Sequence, residues 1–321
     1  MHSPAARLPF DPELEAILAA VGDQIPTVTA DTIAELRQAP LPGVITDDEL
    51  TAAGLTRREV TVPGYAGAEL VATVIERTDK SGVGPGIYHI HGGGMIAGHR
   101  IVGVGQIVSW IIEHDAVAVT VEYRLAPEFP DPYPVEDCYA GLVWTAEHAA
   151  DLGIDLDRLI IAGASAGGGL AAGTALLARD RSGPWLSGQV LMCPMLDDRD
   201  QTASTVQFDS AGLWIRSSNL VGWNALLGSR RGTDDVSIYA APARAIDLAG
   251  LPAAFIDCGS AELFRDEDIA YATNLWCAGV QAELHVWPGG FHGFDMVAPH
   301  TALARAATAT RNAWVATLLG G

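Results

Sequence analysis

The sequence has little positive charge and no long apolar run. Its 321 residues include 19 Lys and Arg against 39 Asp and Glu, so the formal net charge at pH 7 is −20. Such a surface repels nucleic acid and anionic lipid headgroups, which argues against both as partners. No apolar run approaches the roughly 20 residues of a membrane-spanning helix, and no basic stretch precedes an early apolar segment. We therefore expect a soluble cytoplasmic protein.

Cysteine is also scarce. The four cysteines are widely separated, lie in apolar contexts and form no pair with zinc-ligand spacing; they are Cys138, Cys193, Cys258 and Cys277. We expect reduced thiols in the core.

Charged residues make up 18% of the chain and hydrophobic ones 49%. This hydrophobic content is enough for one large α/β core or two ordinary domains.

Short apolar runs alternate with helical patterns over most of the chain. Two strands joined by a Pro-Gly turn precede six more, and the eight are predicted at 56–62, 70–76, 86–91, 116–121, 159–162, 189–193, 253–258 and 282–287. Helices are predicted between and after the later strands, at 101–114, 135–149, 168–178, up to about 278, and 303–319. This alternation predicts a mostly parallel eight-stranded sheet flanked by helices, with ligands at the carboxyl ends of the strands.

Two segments do not follow the alternation. Residues 1–50 are rich in proline and acidic side chains. They contain two helical patterns, at 12–21 and 30–38. Pro26, Pro40 and Pro42 interrupt the segment outside these patterns. We predict a helical cap segment at 1–50 on a catalytic domain at 51–321. Residues 197–246 also break the alternation, and we predict that they form a second cap insertion. A set of surface helices is the alternative.

Residues 163–167 read Gly-Ala-Ser-Ala-Gly between an apolar strand and a helix of small residues. A strand, a sharp turn with Ser165 at its apex and a helix form the geometry of a nucleophile elbow. The flanking glycines allow strand and helix to approach closely. The N-terminus of the helix that follows points free N–H groups at any negative charge formed on the serine. The alternative is an ordinary Gly-rich turn.

Three glycines, Gly92, Gly93 and Gly94, follow His91 at the end of a predicted strand. In a serine hydrolase, the exposed N–H groups of Gly93 and Gly94 would bind the carbonyl oxygen of the substrate. A flexible turn is the alternative. His89 and His91 share a strand face and could ligate a metal, but no third ligand is apparent nearby. We expect no metal, and we expect His91 to brace the glycine loop.

A carboxylate-bearing turn and a histidine follow the last two predicted strands. Residues 259–267 include Glu262 and Asp266, and His292 lies just after the final strand. Serine, carboxylate and histidine therefore occur in the chain order of the α/β-hydrolase triad, each at a strand end.

Together these motifs resemble those of the hormone-sensitive-lipase-like bacterial carboxylesterases of the α/β-hydrolase superfamily. The resemblance covers most of residues 50–320, and its motifs are His91-Gly92-Gly93-Gly94, Tyr123-Arg124-Leu125-Ala126-Pro127-Glu128, the elbow, and His292-Gly293-Phe294. Residues 193–199 and 235–252 look closest to the bacterial heroin esterase branch.

The resemblance implies an α/β-hydrolase fold with a helical cap and a serine esterase for small or short-chain acyl esters, without a cofactor. Aligning residues 265–267 with the family pattern places Glu262 at the acid position, with Asp266 or Asp257 as alternatives. Gly93, Gly94 and Ala166 would then form the oxyanion hole. Ala164 stands where the family usually has Asp, which removes a polar group beside the nucleophile.

Other interpretations stay open at this point. The same triad serves amidases and peptidases, some homologues on this fold bind small molecules without catalysis, and a zinc hydrolase would use His89 and His91. Trp214, Phe208 and Met95 are candidates either for the pocket wall or for the core. Homodimers are common in the family.

Overall fold

The computed structural model describes residues 6–21, 28–39 and 43–320. Its strands are β1 (Leu55–Pro63), β2 (Glu69–Arg77), β3 (Gly84–Ile90), β4 (Val117–Val121), β5 (Ile154–Ala164), β6 (Gly188–Met192), β7 (Ala254–Gly259) and β8 (Ala282–Trp287). They form one sheet in the order β1-β2-β4-β3-β5-β6-β7-β8. Only the β1–β2 and β2–β4 pairs of this described sheet are antiparallel. The predicted mostly parallel, eight-stranded sheet is confirmed.

Helices lie on both faces of the sheet. Within the described residues they are α1 (Pro12–Val21), α2 (Ile33–Leu36), α3 (Asp47–Ala52), α4 (Val108–His114), α5 (Tyr133–Glu147), α6 (Ala149–Leu152), α7 (Ala166–Asp180), α8 (Ala203–Gln207), α9 (Arg216–Leu227), α10 (Arg265–Cys277), α11 (Phe294–Val297) and α12 (Ala302–Leu319). Strands and helices alternate from β3 onwards, which is the pattern of an α/β fold.

The helix predicted over 101–114 is wrong in its first half. Gly103 has a φ of 81°, and its N–H donates to the carbonyl of Gly43 at 3.2 Å. A left-handed residue held in this way cannot continue a right-handed helix. Residues 101–107 therefore turn, with a single 3₁₀ turn at Val104–Gln106, and the α-helix begins at Val108.

The predicted helix at 12–21 agrees with α1, but the one at 30–38 is shorter than predicted. A capping box at Thr29 opens a 3₁₀ turn at Ala30–Thr32, and only Ile33–Leu36 is α-helical. Pro26, Pro40 and Pro42 lie outside the described residues. Helix α3 was not predicted, although its Thr46–Glu49 capping box follows the S/T-x-x-E pattern.

Two apolar clusters cover the two faces of the sheet. One joins α5, α7 and α10 to the sheet through buried side chains such as Leu142, Leu176 and Tyr271. The other joins α4 and α12 to it through Trp110 and Val315. Burying a large apolar side chain contributes about 1.5–3 kcal/mol, so these clusters fix the sheet as a rigid base for its strand ends.

A third cluster lies beside the loop that carries His292. Phe10 and Leu14 of the N-terminal segment pack with Phe208 and Phe291. The rings of Phe10 and Phe291 meet edge to face, with centroids 6.3 Å apart, and the N–H of Asp11 donates to the carbonyl of Gly289 at 3.0 Å. Helix α1 is thus anchored next to the last loop of the predicted site.

The cysteines are free thiols, as expected, but the prediction that all four are buried is wrong. Cys138, Cys193 and Cys258 are buried, whereas Cys277 is exposed. Cys277 is the last residue of α10, and Leu275 points to the core two residues earlier. Residues two apart lie on different faces of a helix, so Cys277 faces outward. Within the residues described, no helix combines the length and apolar character needed to span a bilayer.

Candidate active site

The backbone at Ser165 has the conformation of a nucleophile elbow. Strand β5 ends just before it and α7 begins just after it, and its φ and ψ are 58° and −124°. A non-glycine residue in this region costs on the order of 1–3 kcal/mol, which the surroundings must supply. The N–H of Ser165 donates to Met192 at 2.8 Å, and its carbonyl accepts from Gly169 and Met195, each at 3.0 Å.

Glycines make the close approach at this turn sterically feasible. A Cβ at Gly163 would collide with the carbonyl of Gly167, and one at Gly167 would collide with the carbonyl of Ile90. Strand β3, strand β5 and the start of α7 therefore meet within backbone contact distance. The predicted role of the glycines that flank Ser165 is confirmed by these contacts.

The structure brings Ser165, His292 and Glu262 into one hydrogen-bonded chain. Nε2 of His292 lies 2.9 Å from Oγ of Ser165, and Nδ1 lies 2.6 Å from Oε2 of Glu262. Oε1 of Glu262 accepts from the N–H of Gly259 at 2.7 Å. The ring of Phe264 meets that of His292 edge to face, with centroids 5.1 Å apart. Both oxygens of Glu262 thus have partners, and its side chain is only 2% exposed.

The other two candidate acids have partners elsewhere. Oδ2 of Asp266, in the first turn of α10, accepts from the N–H of Ser204 at 2.8 Å. Oδ2 of Asp257 accepts from the guanidinium of Arg311 at 2.8 Å and from the indole N–H of Trp287 at 3.2 Å. Of the three predicted alternatives, the structure places Glu262 against His292.

The glycine loop lies next to the elbow. A Cβ at Gly92 would lie 2.9 Å from the carbonyl of Ala164, which directly precedes Ser165. Gly93 and Gly94 have φ values of 124° and 62°, which favour glycine. In the described part of the chain, no acceptor is bound to the N–H groups of Gly93, Gly94 or Ala166. These donors are available to a negatively charged oxygen at Ser165.

His91 packs beneath the glycine loop. Its ring stacks on that of Tyr123, with centroids 4.1 Å apart, and its Nδ1 lies 2.8 Å from the carbonyl of Gly92. The hydroxyl of Tyr123 donates to the carbonyl of His91 at 3.1 Å. Burial lowers the pKa of His91 to about 4, so the ring is neutral at pH 7. His91 holds the loop in place, as predicted.

His89 is buried separately from His91. Its Nδ1 lies 3.2 Å from the hydroxyl of Thr120, and burial lowers its pKa to about 3. Across the described residues, the one group of three potential metal donors is Cys193, Glu262 and His292, whose donor atoms lie within 4.8 Å of one another. That group contains neither His89 nor His91.

Trp214 is the aromatic residue that contacts the predicted oxyanion loop. A Cβ at Gly94 would collide with its indole ring, and Gly222 of α9 lies against the carbonyl of Gly94. Phe208 and Met95, the other two candidates for the pocket wall, are fully buried. The segment from 197 to 246 therefore reaches the site through Trp214 and α9.

A cluster of charges behind Glu262 is absent from the sequence prediction. Arg311 in α12 bonds both Asp257 and Asp295, and Asp295 follows His292 by three residues. Cys193, which has a φ of 38°, lies beside Glu262 and His292. These contacts join residues 16 to 54 positions apart, and no local pattern in the sequence indicates them.

A sheet with serine, carboxylate and histidine at the ends of β5, β7 and β8 is the arrangement of the α/β hydrolases. Residues 87–296 match the model of a family described by the alpha/beta hydrolase fold. The chain belongs to this family, in its hormone-sensitive-lipase-like branch, as the motifs predict.

The chain is similar in sequence to carboxylesterase NlhH of Mycobacterium tuberculosis, with 33% identity over 91% of this chain and 93% of the relative. It is 35% identical to esterase LipI of the same organism over 65% of each chain. Its structure is similar to that of a bacterial heroin esterase, with a TM-score of 0.87, 38% identity and coverage of 97% and 98% of the two chains. The predicted likeness to that branch is confirmed.

Proposed function

We propose that the protein is a serine carboxylesterase that hydrolyses small or short-chain acyl esters through an acyl-enzyme intermediate on Ser165. The observation that carries this proposal is the hydrogen-bonded chain from Glu262 through His292 to Ser165, set opposite unpaired N–H groups. The named carboxylesterases and esterases to which the chain is similar support the same reaction class.

The contacts support a role for each group in the proposed reaction. His292 takes the proton of the Ser165 hydroxyl at Nε2 as the oxygen attacks the ester carbonyl. Glu262 accepts the hydrogen bond from Nδ1, which fixes the tautomer and stabilises the cation that forms. His292 then gives the proton to the departing alkoxide. Water attacks the acyl-enzyme by the same route and releases the acid.

The N–H groups of Gly93, Gly94 and Ala166 stabilise the oxyanion in both steps. They are fixed by backbone geometry before the substrate binds, so no reorganisation is needed during the reaction. Removing one such donor typically raises the barrier by about 2.7–4 kcal/mol. The tight contacts of Gly93 with the carbonyl of Ala97, and of Gly94 with Trp214, keep this loop rigid.

We further propose that residues 1–50 and 197–246 together form a cap on the catalytic domain at 51–321. Three contacts support this division. Phe10 packs on Phe291 beside His292, Arg37 donates to the carbonyls of Ile96 and Ala126 next to the glycine loop, and Trp214 covers Gly94. A cap made from two segments limits the size of the acyl group, which favours short-chain esters.

A series of p-nitrophenyl esters from acetate to laurate tests the substrate class. We expect the highest kcat/KM among the short chains and a steep fall towards laurate. Parallel assays with an ester and its matching amide separate an esterase from an amidase, because the amine leaving group needs stronger protonation. A wild-type protein that hydrolyses none of these esters or amides would contradict the proposal and would favour a binding function.

A further inference from the structure

Arg311 is a buried cation close to Glu262, and both residues line one small cavity. It lies in α12 and is only 2% exposed. Its Nη2 lies 2.8 Å from Oδ2 of Asp257 and 2.8 Å from Oδ2 of Asp295. A buried guanidinium loses its hydration and is retained only where such charge-assisted hydrogen bonds replace it.

The two carboxylates belong to the two backbone segments that hold the triad. Asp257 lies in β7, two residues before Gly259, whose N–H binds Glu262. Asp295 lies in α11, three residues after His292, and Gln106 donates to it at 3.1 Å. One guanidinium therefore connects the strand that leads to the acid with the turn that carries the base.

These charges and Glu262 line one cavity of about 10 Å³. Its lining includes Glu262, Asp257, Asp295, Arg311 and the thiol-bearing Cys193. A space of this size is close to that of one water molecule, so the charges interact across a few ångströms of low-dielectric interior. Oδ1 of Asp257 and Nε of Arg311 are buried there without a protein partner.

Acidic groups outnumber basic ones around His292. The titratable groups described around the His292–Glu262 pair are Cys193, Asp257, Cys258, Glu267, Asp268, Asp295 and Arg311. Burial raises the pKa of Asp257, Glu267 and Asp268 and that of Cys193. Arg311 is the one cation among these described groups.

We propose that Arg311 is a positioning residue of the active site: it holds the His292 turn against the Glu262 strand through Asp295 and Asp257, and it offsets the negative charge behind Glu262. The inference rests on the proposed esterase function. It goes beyond that function because it assigns two separable effects, alignment and charge, to a residue that does not touch the substrate.

The two effects are separated by three conservative or isosteric variants of the intact protein. Arg311→Lys keeps the charge but not the planar fork that bonds two carboxylates. Arg311→Met removes both the fork and the charge. Asp295→Asn keeps the size of the side chain but removes one negative charge. Arg305→Met is the matched control, because Arg305 lies in the same helix and is exposed.

The readouts are kcat, KM and the acid limb of the pH dependence of kcat for p-nitrophenyl acetate. Misalignment lowers kcat about tenfold or more in Arg311→Lys and Arg311→Met with little change in KM, because the oxyanion loop is untouched. The midpoint of the acid limb stays in place in Arg311→Lys. It falls by about one pH unit in Asp295→Asn, and it does not fall in Arg311→Met. Arg305→Met matches the wild type throughout.

Two results would overturn the proposal. One is an unchanged kcat in both Arg311 variants; the other is a common midpoint in Asp295→Asn and Arg311→Met, since a purely structural role would not separate them. If Arg311→Met does not fold, Arg311→Lys and Asp295→Asn decide the question. If the wild-type protein hydrolyses no ester, the proposed function fails, and the same order of midpoints is then sought in the NMR titration of the His292 ring.

Discussion

Oε2 of Glu262 lies 2.6 Å from Nδ1 of His292, although 30 residues separate them. The contact forms because β7 and β8 are adjacent parallel strands and the loops after them cross. At that crossing a Cβ on Gly259 would collide with the carbonyl of Gly290. The close contact of Gly259 with Gly290 brings the loop that carries Glu262 against the loop that carries His292. The other two acidic candidates, Asp266 and Asp257, bind other partners.

Replacing the proposed nucleophile should abolish turnover while leaving the fold intact. We expect Ser165→Ala to lower kcat for p-nitrophenyl acetate by about 10³-fold or more, because the covalent step is lost and only the oxyanion donors remain. The fold should persist, because the hydrogen bonds that hold the elbow are made by the backbone of Ser165 and do not involve Oγ. Ser229→Ala, at an exposed position, is the control. Full activity of Ser165→Ala in a clean preparation would contradict the proposed mechanism.

The identity of the triad acid can be tested by two isosteric changes. Glu262→Gln should lower kcat by about 10²–10⁴-fold, because an amide can no longer stabilise the His292 cation or hold its tautomer. Asp266→Asn should leave kcat within about threefold of the wild type, since Asp266 bonds Ser204 and Arg265 instead. Steady-state kinetics of both variants checks this. The reverse order of effects would move the role to Asp266.

The glycine loop should not tolerate a side chain at Gly94. Its φ is 62°, and an added Cβ would collide with Trp214. We expect Gly94→Ala to shift the oxyanion N–H groups and to lower kcat by about 10²-fold with a smaller change in KM. The double variant Gly94→Ala with Trp214→Ala should recover part of the loss, because the collision is removed while the backbone strain remains. No difference between single and double variants would show that the indole does not restrict the loop.

The buried neutral histidines should make the fold sensitive to acid. The pKa of His91 is about 4 in the folded protein, below the ordinary value of about 6.5 for an exposed histidine. The unfolded chain therefore binds a proton that the folded protein excludes, and stability falls as the pH drops below about 6.5. Through this difference in pKa, His91 alone lowers the free energy of unfolding by about 2 kcal/mol between about pH 7 and about pH 5.

Urea unfolding of the wild type and of His91→Phe over this pH range measures the effect. Phenylalanine preserves an aromatic ring against Tyr123, so the variant folds with a shallower pH dependence, although it loses the bond to Gly92. His300→Phe is the control, since His300 is exposed. Equal pH slopes for wild type and His91→Phe would show that folding does not lower the pKa of His91.

Local patterns were sufficient for the parts of the site that depend on adjacent residues. The elbow around Ser165 and the glycine run after His91 each combine a strand, a turn and special backbone angles within a few positions. The same local logic predicted all eight sheet strands, although β5 begins at Ile154, five residues before its predicted start. It failed at 101–107, because the left-handed Gly103 is held by Gly43 from a distant segment.

By itself the sequence determined the fold class and indicated Ser165, His292 and the glycine loop as site candidates, since these residues lie in short motifs at predicted strand ends. Only the tertiary structure shows which of Glu262, Asp266 and Asp257 lies against His292, because that contact depends on how the loops at the strand ends meet. It also revealed Arg311 behind the triad. A buried charge is stabilised by partners that are close in the folded structure. Because those partners can lie far apart along the chain, their spacing in the sequence does not predict the contact.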